Sequence, residues 1–211
     1  MSGLGRGLVV AVLAGMVLVP AGRAAGGGAP RVRPPEGAGA SGRGRGLREL
    51  TVRTGFGDAD RADVEIVPLL VSAGWLLPDV VDAPLARWGL DLEYVLEGWV
   101  AGARIEGRTD AIEVGINPLA FRLAYDVGQH AVPYVSGGLG VLYTGLQGIG
   151  IGGPFEFDET AGVGLALFFD RRLAIDLGYR FRHISNAGIS SDNRGLNTHF
   201  GLVGVSFFPG R

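Results

Sequence analysis

His183 and Ser185 are the residues of this chain whose types and spacing suit chemistry. They stand two apart in "DLGYRFRHISNAGISSDNRGLN", residues 176–197, on a side of the chain that up to that point carries Leu, Tyr and Phe. An imidazole beside a hydroxyl is a general base in reach of a nucleophile, the pairing that acyl transfer uses. The small, turn-prone residues that follow offer N–H groups to stabilise an oxyanion. A polar pair also occurs as a plain cap where a strand meets a membrane interface, and spacing alone leaves both readings open.

The elements that must position the pair are strands. Over 172–185 the odd positions read Leu173, Ile175, Leu177, Tyr179 and Phe181, and the even ones Ala174, Asp176, Gly178, Arg180 and Arg182. Side chains of a strand alternate between faces, so one face is apolar and the other small or charged. Segments 90–97, 134–144 and 160–169 repeat the pattern. At Asn117-Pro118 the phase slips by one residue, from Ile112, Val114 and Ile116 to Leu119, Phe121 and Leu123, which marks a bulge. Eight strands are expected, at 48–57, 63–72, 89–100, 110–126, 132–145, 156–169, 172–184 and 196–208. Several exceed the ~5–6 residues usual in soluble sheets and suit the ~9–11 that a tilted strand needs to cross a bilayer.

Composition bears on where such a sheet sits. In a secreted sandwich the second face would meet water and carry many Lys, Glu and Thr, yet this chain has no lysine, and that face is largely Gly, Ala, Ser and isolated charges. This is the filling of a narrow barrel whose apolar face meets lipid. A mean hydropathy of +0.28 agrees. Residues 131–155 carry no charge, but eight glycines and two prolines make them strand and turn rather than a membrane helix. The chain has no cysteine, so thiol chemistry and disulfides are absent, and a net charge of -2 gives no reason to expect a nucleic-acid partner. No His/Asp/Glu cluster suggests a metal, and no cofactor is expected.

Residues 1–24 read as a signal peptide: Arg6, an apolar run from Leu8 to Val19, then small residues with cleavage after Ala21 or Ala24. Residues 25–46 form a Gly/Ala/Pro/Arg-rich lead-in with almost nothing to bury, and 47–211 the barrel domain.

The stretch "RFRHISNAGISSDNRGLN", residues 180–197, resembles the active-site segment of the outer-membrane lipid A 3-O-deacylases, the PagL-like acyloxyacyl hydrolase family. The resemblance implies an all-β fold, an eight-stranded antiparallel transmembrane barrel of the outer membrane. It implies hydrolysis of the ester-linked 3-hydroxyacyl chain of lipid A, with lipopolysaccharide as substrate and outer-membrane lipids as surroundings. By the same resemblance the nucleophile falls on Ser185 and the base on His183. Oxyanion contacts fall near Gly188 and Asn193, and Asn186 matches a further motif position.

The family's third member is a glutamate twelve residues after the serine, and here that position is Asn197. An amide oxygen can orient the imidazole but brings no charge. If Phe169 pairs with Leu173 around a three-residue turn, an unbulged ladder sets Glu159 across from His183, where it could supply that charge. His199 falls on the outward parity and is read as interfacial, while Asp176, Arg180 and Arg182 point inward as a charge network. A barrel that keeps the scaffold without turnover, or that only binds lipid, stands as the alternative.

Overall fold

The computed structural model describes residues 46–61, 63–105, 110–125, 130–190 and 193–209. The expected signal peptide, 1–24, and the lead-in up to residue 45 lie outside them. The fold is a closed antiparallel barrel of eight strands in sequence order. These are β1 (Leu47–Ala59), β2 (Val64–Leu76), β3 (Leu90–Ile105), β4 (Ala111–Tyr125), β5 (Ala131–Thr144), β6 (Phe155–Phe168), β7 (Leu173–Ser185) and β8 (Leu196–Phe207). Closure is made by β1 against β8, from Leu50↔Phe207 to Ala59↔Thr198. A closed sheet leaves no unpaired edge, which is what lipid demands of a backbone that spans it.

All eight expected strands are present. β2 and β3 run several residues further than the alternation indicated, to Leu76 and Ile105. The short helix α1 (Asp79–Ala86) was not foreseen: eight residues with Pro84 inside carry too few turns to register as a helical period. The phase slip at Asn117-Pro118 is a bulge, where the β4–β5 register jumps from Ile116 to Leu119. It turns the Asn117 side chain inward, where it is 1% exposed and donates to Glu97 Oε1 at 3.4 Å.

The outer wall is apolar, with Val67, Leu69, Val71, Leu139, Val141 and Val205 among its exposed residues. Aromatic contacts mark both ends: Trp75 stacks on Tyr94 at 6.0 Å near the termini, and Tyr143 meets Phe155 edge-on at 5.6 Å at the opposite rim. Aromatic girdles around an apolar band are the signature of a transmembrane barrel.

The inward charges do form a network. Arg180 grips Glu97 with two bonds, 2.6 and 2.8 Å, and Arg53 shares the same carboxylate at 3.2 Å. Tyr134 donates its hydroxyl to Asp176 at 2.9 Å, Arg122 Nε donates to Glu93 at 3.0 Å, and Arg182 donates to Glu113 at 2.9 Å. Glycines make the room. A Cβ at Gly57, Gly115 or Gly164 would strike the ring of Phe200, Trp99 or Tyr134 respectively. Cavities left in this interior have accessible volumes of about 30, 20 and 10 Å³, room for isolated waters and for no lipid chain. Toward the rim opposite the termini the filling turns apolar, with Ile66, Trp99, Leu146, Ile151, Ile184 and Leu196 packed together.

Breaking a buried pair strands the remaining charge, at a cost of about 3–5 kcal/mol. Glu97→Gln leaves Arg53 and Arg180 without their shared carboxylate. The expected outcome is a loss of about that size in urea unfolding of the refolded barrel, read from the gel shift between folded and unfolded bands.

Candidate active site

β7 carries His183 and Ser185 outward because its alternation is unbroken. Asp176, Arg182 and Ile184 on the even positions are buried, whereas Ile175 and Leu177 on the odd ones are exposed. The β6–β7 ladder runs without a bulge from Phe168↔Ala174 to Phe157↔Ser185 and sets Glu159 opposite His183. Its turn closes through Phe169 N–H to the Leu173 carbonyl at 3.2 Å, the pairing expected from the sequence. On the other flank β8 sets Asn197 opposite His183. Glu159, His183 and Asn197 therefore form one outward row across three strands.

Of the two neighbours, Asn197 makes the contact: its Oδ1 lies 2.6 Å from His183 Nδ1. Asn197 in turn donates Nδ2–H to Asp60 Oδ2 at 2.8 Å and its backbone N–H to Asp60 Oδ1 at 3.3 Å. Asp60 follows the last residue of β1, and its N–H donates to the Asn197 carbonyl at 2.9 Å. Glu159 is exposed and makes no hydrogen bond to His183 among the described residues.

Ser185 ends β7 one residue past the last β7–β8 pair, Ile184↔Leu196. The chain then turns through Ala187 (φ 53) and Gly188 (φ 83), closed by Ile189 N–H to the Asn186 carbonyl at 3.0 Å. A left-handed alanine is uncommon and costs of order 1 kcal/mol, which the surrounding bonds must offset. Asn186 supplies them. Only 2% exposed, it accepts from Gly188 N–H at 3.0 Å and Ser190 N–H at 3.4 Å through Oδ1, and donates Nδ2–H to Ser190 Oγ at 3.1 Å. Its own N–H donates to Asn193 Oδ1 at 2.9 Å.

Asn193 is held from a second direction by a bridge to Ile151 in the β5–β6 loop, beside a bond from Arg194 N–H to the Gly150 carbonyl at 3.0 Å. Ile151 is 1% exposed and sits in the apolar rim cluster. Gly195 (φ 63) closes the loop against the imidazole, where a Cβ would come within 2.6 Å of His183 Cε1 and 2.8 Å of the Ile184 carbonyl. Arg61 donates to the Gly195 carbonyl and, at 2.9 Å, to that of Arg194.

The fold thus brings His183, Ser185, Asn186, Gly188, Asn193 and Asn197 to one rim, with Glu159 in the same row. His199 faces outward as expected, its Nδ1 2.7 Å from the Tyr179 hydroxyl and its ring 5.4 Å from that of Phe181. Asp60 and Arg61 escaped the sequence reading. They reach the site only through the β1–β8 seam, and β1 alternates too weakly for its register to be derived from the sequence.

Residues 72–206 match the family described as Lipid A 3-O-deacylase (PagL). Among solved structures the chain is similar to the crystal structure of the outer membrane enzyme PagL, with a TM-score of 0.56, 16% identity, and coverage of 74% of this chain and 97% of that one. It is also similar to Neisserial surface protein A (NspA), with a TM-score of 0.50, 12% identity, and coverage of 77% and 96%. At these identities both likenesses speak for the fold. No curated protein matches the chain in sequence.

Gly195→Ala forces a methyl group into the His183 ring and a left-handed backbone onto alanine. The expected outcome is a displaced His183 ring, read as a changed 15N-histidine NMR signal, in a barrel whose gel shift is unchanged.

Proposed function

The chain belongs to the lipid A 3-O-deacylase (PagL) family, and from that premise we propose that it is an outer-membrane serine esterase that removes the ester-linked 3-hydroxyacyl chain of lipid A. The observation that carries the reading is the 2.6 Å contact between His183 Nδ1 and Asn197 Oδ1, on the outward face and two residues from Ser185. It commits Nδ1 as a donor and leaves Nε2 as the base for the Ser185 hydroxyl.

Nε2 takes the Ser185 proton as Oγ attacks the ester carbonyl. Asn193, whose Oδ1 is occupied by the Asn186 N–H, turns its Nδ2–H groups to the oxyanion, with the turn at Gly188 beside it. Collapse expels the sugar 3-hydroxyl, which leaves with the proton from His183. Water, deprotonated by the same nitrogen, then releases the 3-hydroxy fatty acid and restores Ser185. Asn186 serves by building the turn. Glu159 adds negative potential on the same row without a bond.

The outward face supports a lipid substrate. A lipid A acyl chain lying along the apolar wall reaches Ser185 without leaving the membrane. The small interior cavities speak against a ligand held within the barrel. The signal-peptide pattern of residues 1–24 supports export to the outer membrane.

The test is mass spectrometry of lipid A incubated with the refolded protein. Loss of one 3-hydroxyacyl mass is expected, and Ser185→Ala should slow it by about a thousandfold or more. Glu159→Gln should cost about fivefold or less, the scale of an exposed charge acting without a hydrogen bond. Unchanged lipid A with a folded barrel would turn the reading to a scaffold without turnover.

A further inference from the structure

Asp60 stands outside the residues that touch the reacting groups, yet it holds Asn197 by three contacts. The Asn197 Nδ2–H and backbone N–H both donate to its carboxylate, and its own N–H donates to the Asn197 carbonyl. We propose that Asp60 is the positioning residue of this site, acting through the Asn197 amide to fix the tautomer of His183. The inference rests on the esterase reading for its kinetic consequence, though its structural consequence stands without that reading.

The argument is one of donors and acceptors. A side-chain amide presents oxygen and nitrogen on nearly equal footing, so a lone asparagine beside a histidine can face it either way. With its nitrogen toward the ring it would donate to Nδ1 and put the proton on Nε2, which cannot then accept from Ser185. A carboxylate only accepts. At 2.8 Å from Asn197 Nδ2, Asp60 draws the nitrogen to its own side and leaves the oxygen facing His183. An amide oxygen only accepts in turn, so Nδ1 must carry the proton and Nε2 is left free. The order of influence runs from carboxylate to amide to imidazole to hydroxyl.

The chain delivers more than orientation. Each hydrogen bond polarises the next, so a negative charge at Asp60 enriches the Asn197 oxygen as His183 becomes imidazolium. Charge that a glutamate would place directly on the ring is here placed one amide away. Glu159 lies nearer in register but has no such bonded path among the described residues. Arg61 fastens the arrangement, its Nε 3.7 Å from Asp60 Oδ1 and its Nη2 on the carbonyls of Arg194 and Gly195.

The test pairs a spectroscopic readout with a kinetic cycle. The full chain, labelled with 15N-histidine and refolded in micelles, should show His183 as a single Nδ1–H tautomer, assigned by its loss in His183→Ala. Asp60→Asn, which can donate as well as accept, should add the Nε2–H form. It should also lower kcat on lipid A by about ten- to a hundredfold with KM within about twofold. In an Asn197→Glu background the ring meets a carboxylate directly and two carboxylates crowd each other, so the same Asp60→Asn change should raise kcat. An unaltered tautomer in Asp60→Asn would overturn the proposal, as would an equal rate loss in both backgrounds, which would mean mere rim packing. If the tautomer shifts while no protein form cleaves lipid A, the positioning role stands and the esterase reading fails.

Discussion

The pairing of β1 with β8 is the constraint on which the rest depends. It joins the first strand to the last without a bulge from Leu50↔Phe207 to Ala59↔Thr198 and so removes both edges of the sheet. In hydrocarbon an open edge would leave a row of backbone donors and acceptors without partners, each costing several kcal/mol. The same seam, carried one residue past Thr198, lays Asp60 against Asn197. Closure of the barrel and completion of the site are one structural event.

The interior serves that closure by being full. Arginines span the barrel to glutamates on other strands, and glycines at 57, 115 and 164 leave room for the rings of Phe200, Trp99 and Tyr134. Arg182 shows how tightly the layers are joined: it pairs with Glu113 and lies about 5.1 Å from the rings of both Trp99 and Phe200. Such pairs need not outperform a well-packed apolar core, but once built they are costly to break, which suits a wall meant to be rigid. A filled interior leaves the outside wall as the surface a lipid can reach.

At the rim, rigidity is passed to a loop. The apolar cluster around Ile151, Ile184 and Leu196 supports the β5–β6 loop, the bridge to Asn193 ties that loop to the next one, and Asn186 closes the turn after Ser185. The left-handed backbone at Ala187 lies within this frame, two residues after Ser185. The Asn197 amide bonds the imidazole, and the Asp60 carboxylate sits one step further out, just past a strand that reaches this rim because the barrel closes.

Much of this was legible in the sequence, because period two is a local property: a strand's faces can be read from its own residues. The outward placement of His183 and Ser185, the inward charges at Asp176, Arg180 and Arg182, the bulge at Asn117 and the register of Glu159 across a short hairpin all follow from neighbours in the chain. What required the tertiary structure were relations between distant segments. That Asn197 and not Glu159 bonds the imidazole depends on side-chain reach across two different ladders. That Asp60 bonds Asn197 depends on a seam joining residues 137 positions apart, and no alternation pattern encodes a register between strands that share no turn. The sequence by itself determined which residues face the lipid, since side-chain direction is fixed along a strand. The tertiary structure alone decided which of them touch, because hydrogen bonding between strands is set by how the barrel shuts.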